Sequence, residues 1–180
     1  SGVAREDIFI STKIWASQYL TEGTVEKSLE LLGTDYIDLM FIHQPAGDFM
    51  AGYRKLETVA IRPMVNQIEF HPGQMQEETV SYCKDHNIIV EAWSPLGTGR
   101  MLSNEMLKSI AAKYGKSAAQ LCIRWCLQNG ILPLPKSVTP SRIIENADVF
   151  DFEITNEDME AINGMEYCGG SGLHPDKVDF

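Results

Sequence analysis

Short apolar runs alternate with amphipathic segments along the chain. Residues 7–13 form a β-branched run closing on a lysine, which predicts a buried strand with Lys13 at its C-terminal end. Over residues 24–33, Val25, Leu29 and Leu32 recur at i, i+4 and i+7 and Gly33 supplies a stop, the pattern of an amphipathic helix. Residues 37–42 read as a second buried strand, ending at His43. The alternation continues with a helix around 52–57, a strand over 64–70 stopped by His71-Pro72-Gly73, a helix over about 77–86, and a strand over 88–93 running into Ser94-Pro95-Leu96-Gly97. Helices follow over 104–114 and 117–128, broken by Gly115 and Gly130. A last strand over 131–134, helices around 141–147 and 156–165, and a glycine-rich polar loop from Cys168 complete the pattern.

Buried-type strands alternating with helices predict an α/β fold with a parallel sheet, either a (β/α) barrel or a doubly wound open sheet. Polar residues recur at strand C-terminal ends, where barrel active sites sit. No G-x-G-x-x-G follows a strand, which weighs against the open dinucleotide-binding sheet. With 180 residues, 44% hydrophobic and 22% charged, the chain has the balance of one globular domain rather than of a disordered or fibrous chain. It has no run approaching a membrane span and no targeting pattern at its start, so a cytoplasmic location is expected.

The net charge of −10 disfavours nucleic acid and anionic membranes as partners, and any anionic ligand then requires a local basic site. Cys83, Cys122, Cys126 and Cys168 lack a paired C-x-x-C spacing and read as buried thiols, so no metal is expected.

The candidate chemistry gathers at strand ends. Lys13 is either a solvated lysine or a pocket lysine whose charge tunes a neighbour. His43, before Gln44-Pro45, is a donor or proton relay at a strand mouth, or a satisfied structural histidine. His71, His86 and His174 read as turn or surface residues. In residues 134–146, Lys136, Ser137 and Thr139 stand just before a helix with Arg142 in its first turn. Two cations, hydroxyls and a helix N-terminus are what a phosphate requires, the alternative being simple capping with exposed basic residues. Trp93 places a flat aromatic at a strand mouth, able to stack on a planar ring or to fill core.

These motifs, Phe9-Ile10-Ser11-Thr12-Lys13-Ile14-Trp15, Asp35-Tyr36-Ile37-Asp38-Leu39 through Ile42-His43-Gln44-Pro45, Asn66-Gln67-Ile68-Glu69-Phe70-His71-Pro72, Ser94-Pro95-Leu96-Gly97 and Pro135-Lys136-Ser137 through Asn146, closely resemble the aldo-keto reductase family from about Arg5 to Asp179. The nearest flavour is the diketogluconate reductase and prostaglandin F synthase group. The resemblance implies a (β/α)8 barrel that reduces aldehydes or ketones with NADPH, a monomer when the barrel is complete. It implies that Lys13 assists the proton donor, that His43 orients the carbonyl, and that Trp15 and the tail wall the substrate pocket. Gln67 would hold the nicotinamide carboxamide, Trp93 would stack on the nicotinamide, and Ser94, Leu96 and Gly97 would meet the pyrophosphate. Lys136, Ser137 and Arg142 would clamp the adenosine 2′-phosphate, and Glu145 and Asn146 would contact adenine.

The sequence departs from the family in two places. It begins at what resembles the lead into the third strand, so the first two strands and the family's catalytic aspartate and tyrosine are not matched. At Glu57-Thr58 a helix runs into the approach to the next strand without the fifth strand, so residues 1–180 read as one barrel domain lacking these parts. Five of eight strands are recognisable, against about 250 residues for a typical barrel. None of the six tyrosines lies in a motif matching the missing donor, so the chain as written is expected to be inactive while a polypeptide carrying the missing segments reduces carbonyls. Nucleotide binding without turnover is the alternative, and a Schiff-base lysine at Lys13 is a further one.

Overall fold

The computed structural model describes residues 2–42, 51, 54 and 64–172. The chain divides into two units, Ser1–Pro63 with His174–Phe180 and Met64–Leu173. In the first, strand β1 (Ser11–Ile14) pairs in parallel with β2 (Leu39–Ile42), Lys13 opposite Phe41, and helix α1 (Thr24–Leu32) lies between them in sequence and ends on left-handed Gly33. Arg5 ties this unit together. Its guanidinium donates to Thr34 Oγ1, to the carbonyls of Ile8 and Tyr36 and to Asp38 Oδ2, and it lies 3.8 Å from the Tyr36 ring centroid. The Ile10 N–H and then the Arg5 guanidinium hold the Asp38 carboxyl below the usual carboxylate range.

The strand predicted over 7–13 is shorter and more exposed than its apolar run suggests. Residues Arg5–Asp7 form a 3-10 turn, Phe9 is 72% exposed, and only Ile14 of β1 is buried. A strand buried on both faces needs cover on both. Here β1 has β2 as its one described strand neighbour, and α1 buries no residue. His43, the helix predicted over 52–57, the junction at 57–58, His174 and the tail beyond Gly172 lie outside the described residues.

The second unit carries a parallel sheet ordered β3 (Val65–Glu69), β4 (Ile89–Trp93), β5 (Leu132–Leu134). Helices α2 (Glu77–Asp85), α3 (Glu105–Lys113), α4 (Ala118–Gln128), α5 (Pro140–Ala147) and α6 (Asn156–Asn163) follow the predicted order. Local chemistry sets their starts. Asn104 accepts from the N–H groups of Met106 and Leu107, and Ser117 with Gln120 forms a capping box at α4. Val90 and Ala92 point into a core built around Leu121, Cys122, Trp125 and Cys126 of α4, with Phe70 stacked 4.9 Å from Trp125. By the two-residue period of a strand, Ile89, Glu91 and Trp93 occupy the opposite face. Pro133 sits in β5, at the edge of this sheet, where its missing N–H is tolerated.

Cys83, Cys122 and Cys126 are buried as expected, whereas Cys168 is partly exposed. Burial pushes the Cys122 thiol up to about 12 and Cys126 well above the ordinary range, so neither is a ready nucleophile. His71 is also not the surface residue its polar setting suggests. It is fully buried, with Nδ1 2.9 Å from the Pro72 carbonyl and Nε2 3.6 Å from Glu69 Oε1. The turn that holds it folds inward because the tail closes over it.

That tail is a strap rather than a free loop. Ser171 donates its N–H to Glu69 Oε1 at 2.7 Å and its hydroxyl to Glu69 Oε2 at 2.5 Å, and Gly172 donates to the Tyr167 hydroxyl at 2.9 Å. Gly170 donates to the Gly97 carbonyl, and Thr98 Oγ1 donates to the Gly170 carbonyl, so the strap also grips the loop after β4. At Gly170 φ is +95°, and a Cβ would stand 2.5 Å from His71 Nε2. The strap leaves α6, which is held by Lys113 Nζ and Tyr114 OH donating to the Asp158 carboxylate at 2.5 and 2.6 Å. Lys113 and then Tyr114 hold that carboxyl below the usual range.

Gly170→Ala is expected to cost on the order of 1–3 kcal/mol, more than Gly172→Ala, which meets a positive φ but open space; thermal unfolding of the two variants checks the order. A lowered Asp158 carboxyl stabilises the fold above the unfolded value of about 3.9, and that contribution disappears as pH falls through the folded value. The stability difference between wild type and Asp158→Asn is therefore expected to be largest near neutral pH and to shrink below about pH 4 in denaturant titrations. A difference independent of pH would contradict the assignment.

Candidate functional site

Parallel strands end at one edge of their sheet, so the loops after β4 and β5 emerge side by side. They wall a cavity of about 860 Å³, within the range of small-molecule sites. Trp93, Ser94 and Leu96 line it from the first loop, and Lys136, Ser137, Arg142, Glu145 and Asn146 from the second loop and α5. Eight of the residues singled out in the sequence thus meet in one place.

The first loop is tightly wound. Ser94 and Thr98 are left-handed, at φ +54° and +55°, and Gly97 and Gly99 supply further positive φ values. Non-glycine residues in that region carry strain that their surroundings must hold. Here Gly97 and Gly99 donate to the carbonyls of Ser94 and Leu96, and the Thr98 N–H donates to Ser94 Oγ at 2.8 Å. The Ser94 hydroxyl accepts that bond and keeps its own proton available. Gly97 itself is buried behind the loop, where a Cβ would meet Met101 and Gly170.

The second wall is cationic and rich in donors. Among the described residues, neither Lys136 nor Arg142 has an acidic partner. Helix α5 begins with Pro140 after Thr139, and no side chain caps it. Ser137 Oγ accepts from the Thr139 N–H rather than from the helix. The N–H groups of Ser141 and Arg142 therefore keep their donor capacity beside the two cations. That combination suits an anion; of the alternative, the side-chain cap is not formed, while Lys136 and Arg142 are exposed.

Gln67 is not on this wall. It lies opposite Glu91 in the β3–β4 register, with Nε2 3.0 Å from Glu91 Oε2, one row back from the Glu69–Trp93 pair. Lys13 and Trp15 belong to the first unit. Lys13 is exposed, with Nζ 4.7 Å from the Phe41 ring centroid, and Trp15 is exposed as well. That unit has an open depression of about 490 Å³ lined in part by Arg5, Glu30 and Thr34. Arg5 is already committed to Asp38 there.

Sequence reasoning missed the opposite side of the cavity, Ser117, Ala118 and Ala119 at the start of α4. The available signal was two small residues following an N-cap serine, which leave room beside a helix start. Among the described residues no cluster of side chains is arranged to hold a metal, and no helix is long and apolar enough to cross a membrane.

The aldo/keto reductase family model matches residues 1–60 and 47–166. Glyoxal reductase of Bacillus subtilis is 43% identical over 210 aligned positions, covering all of this chain and 76% of the relative. An aldo-keto reductase from a Medee basin deep-sea metagenome library superposes with a TM-score of 0.81 at 36% identity, covering all of this chain and 79% of the other. An aldo-keto reductase of the silkworm Bombyx mori, solved in complex with NADPH, gives a TM-score of 0.76 at 29% identity over 96% of this chain and 67% of the other. The five parallel strands are accordingly part of the (β/α)8 architecture of these enzymes, and the chain belongs to the aldo/keto reductase family.

Proposed function

We propose that this family member reduces aldehydes or ketones to alcohols with NADPH, and that the cavity beside β4 and β5 is its nucleotide site. The observation that carries the reading is the pairing of Lys136 and Arg142, unpartnered by acids among the described residues, with the uncapped start of α5. On a chain of net charge −10, such a wall is the local basic site that a phosphorylated ligand requires. The donor set fits a 2′-phosphorylated adenine nucleotide. Lys136, Ser137 and Arg142 bind its phosphate, Glu145 and Asn146 border the adenine, and Ser94 and Leu96 border the pyrophosphate. Trp93 offers a planar face to the nicotinamide.

When bound, NADPH supplies the hydride that the reaction consumes. In this reading Lys13 places a positive charge beside the proton donor and favours release of its proton, while His43 aligns the carbonyl oxygen. Trp15 borders the substrate. Small carbonyl compounds are the substrate class, in line with the glyoxal reductase named among the relatives.

A second reading rests on the tyrosines. None of the six lies in a motif matching the family's proton donor. Alignment with glyoxal reductase extends over 210 positions against 180 residues here, and the family model matches in two overlapping pieces. The longer alignment supports positions absent within this chain, and the overlap of the two matched pieces over residues 47–60 supports a break near Glu57-Thr58. On this reading, the 180 residues alone bind nucleotide without turnover, and NADPH oxidation with a small aldehyde requires the polypeptide that supplies the donor.

Charge-assisted hydrogen bonds are worth about 1.5–3 kcal/mol each, or about 10- to 100-fold in affinity. Arg142→Ala is therefore expected to weaken NADPH binding by roughly that factor while leaving NADH nearly unchanged, measured by quenching of Trp93 fluorescence. Equal losses for the two nucleotides would contradict the assignment of this wall to the 2′-phosphate.

A further inference from the structure

Glu91 is a half-buried carboxylate on the face of β4 opposite Val90 and Ala92, and neither the family resemblance nor the cavity lining assigns it a role. Its neighbours across the sheet are Gln67 on β3 and Leu132 on β5. Leu132 carries no polar group, so Gln67 is the cross-strand donor, with Nε2 3.0 Å from Glu91 Oε2. On the same face, the next register pair toward the strand ends is Glu69 with Trp93. One two-residue step of a strand, about 7 Å, thus separates the Gln67–Glu91 pair from the row that bears Trp93.

A primary amide presents an acceptor and a donor that are nearly identical in shape, and in water it turns over freely. A carboxylate beside it removes that freedom. With Nε2 toward Glu91, the amide makes a charge-assisted hydrogen bond. Turned over, it sets Oε1 against a carboxylate oxygen, and two acceptors repel. Glu91 therefore dictates which end of Gln67 remains available. Among the described residues Gln67 Oε1 accepts no hydrogen bond.

We propose that Glu91 is a positioning residue that locks the Gln67 amide with Oε1 as its free acceptor, matched to the NH2 group of a nicotinamide carboxamide whose ring lies against Trp93. The proposal rests on the nucleotide site described under Proposed function and adds an orientation to it. A carboxamide has the same ambiguity as Gln67, so an acceptor of fixed direction selects one of its two rotamers and with it the presentation of the ring. Replacing Glu91 by an apolar residue leaves Gln67 able to offer either end. Glu91→Gln keeps the size of the side chain but presents a second amide that can itself turn over, so it does not restore the bias.

The test compares two probes on the full chain by isothermal titration calorimetry: NADPH, and 2′-phospho-ADP-ribose, which has the same phosphates and adenine but no nicotinamide. The reduced nucleotide is used because its ring is uncharged, so removal of the Glu91 charge does not itself change the attraction. Glu91→Ala is expected to weaken NADPH by roughly three- to tenfold, the worth of one ordinary hydrogen bond, and to leave 2′-phospho-ADP-ribose unchanged. Glu91→Gln, which keeps the side-chain volume without the bias, is expected to weaken NADPH as Glu91→Ala does and likewise to leave 2′-phospho-ADP-ribose unchanged. Equal losses for both probes would make Glu91 a structural residue only, and no loss for either would remove it from the site. In both cases the proposal is overturned while the nucleotide site stands. If wild type binds neither probe, the reading of the site itself fails.

Discussion

Parallel pairing of β3, β4 and β5 is the constraint on which the candidate site depends. It brings the C-terminal ends of β4 and β5 to one edge, so that an aromatic residue from one strand end faces a lysine and a helix start from the next. The same register puts Gln67 against Glu91 and Glu69 against Trp93. The rest of the unit holds this edge in place. Phe70 stacks on Trp125 beneath the sheet, and Ser171 closes on Glu69 above it. A one-residue slip would exchange the two faces of every strand, placing Gln67 and Trp93 in the core and Val90 and Ala92 outside.

Electrostatics explains why the site lies where it does. The chain is acidic, and several basic side chains are neutralised locally: Arg5 by Asp38, Lys113 by Asp158, and Lys116 by Asp148 and Asp151. Lys136 and Arg142 have no acidic partner among the described residues, as is true of Lys13, Lys84, Arg100 and Arg124, but of these six they are the two that line the cavity beside a helix start. Two exposed cations without acidic partners among the described residues, beside two helix N–H groups, form a surface that favours an anion. The strain at Ser94 and Thr98 fits the same picture, since a loop already wound to face a ligand loses less freedom on binding.

Much of this was legible in the sequence, because its signals are local. The 3.6-residue period, the asparagine and serine caps and the glycine stops mark α3 and α4 to within a residue or two. The lysine and hydroxyls ahead of α5 and the arginine in its first turn marked residues that line the cavity. What escaped was set by partners distant in sequence. His71 looks like a turn residue until Gly170, 99 positions later, covers it. Residues 7–13 carry the composition of a buried strand, but burial depends on what covers each face, and Phe9 lies exposed. Glu91 is one polar residue in an apolar run, and nothing in its own segment announces that Gln67 stands opposite.

The most direct measurement of the central claim is an amide chemical-shift titration of the full chain with adenosine 2′,5′-bisphosphate, with adenosine 5′-monophosphate as the control. The largest shifts should fall on Ser137, Ser141 and Arg142, and the control should leave those three nearly unmoved. Shifts concentrated elsewhere, or equal responses to the two nucleotides, would contradict the assignment of this cavity to a 2′-phosphorylated cofactor.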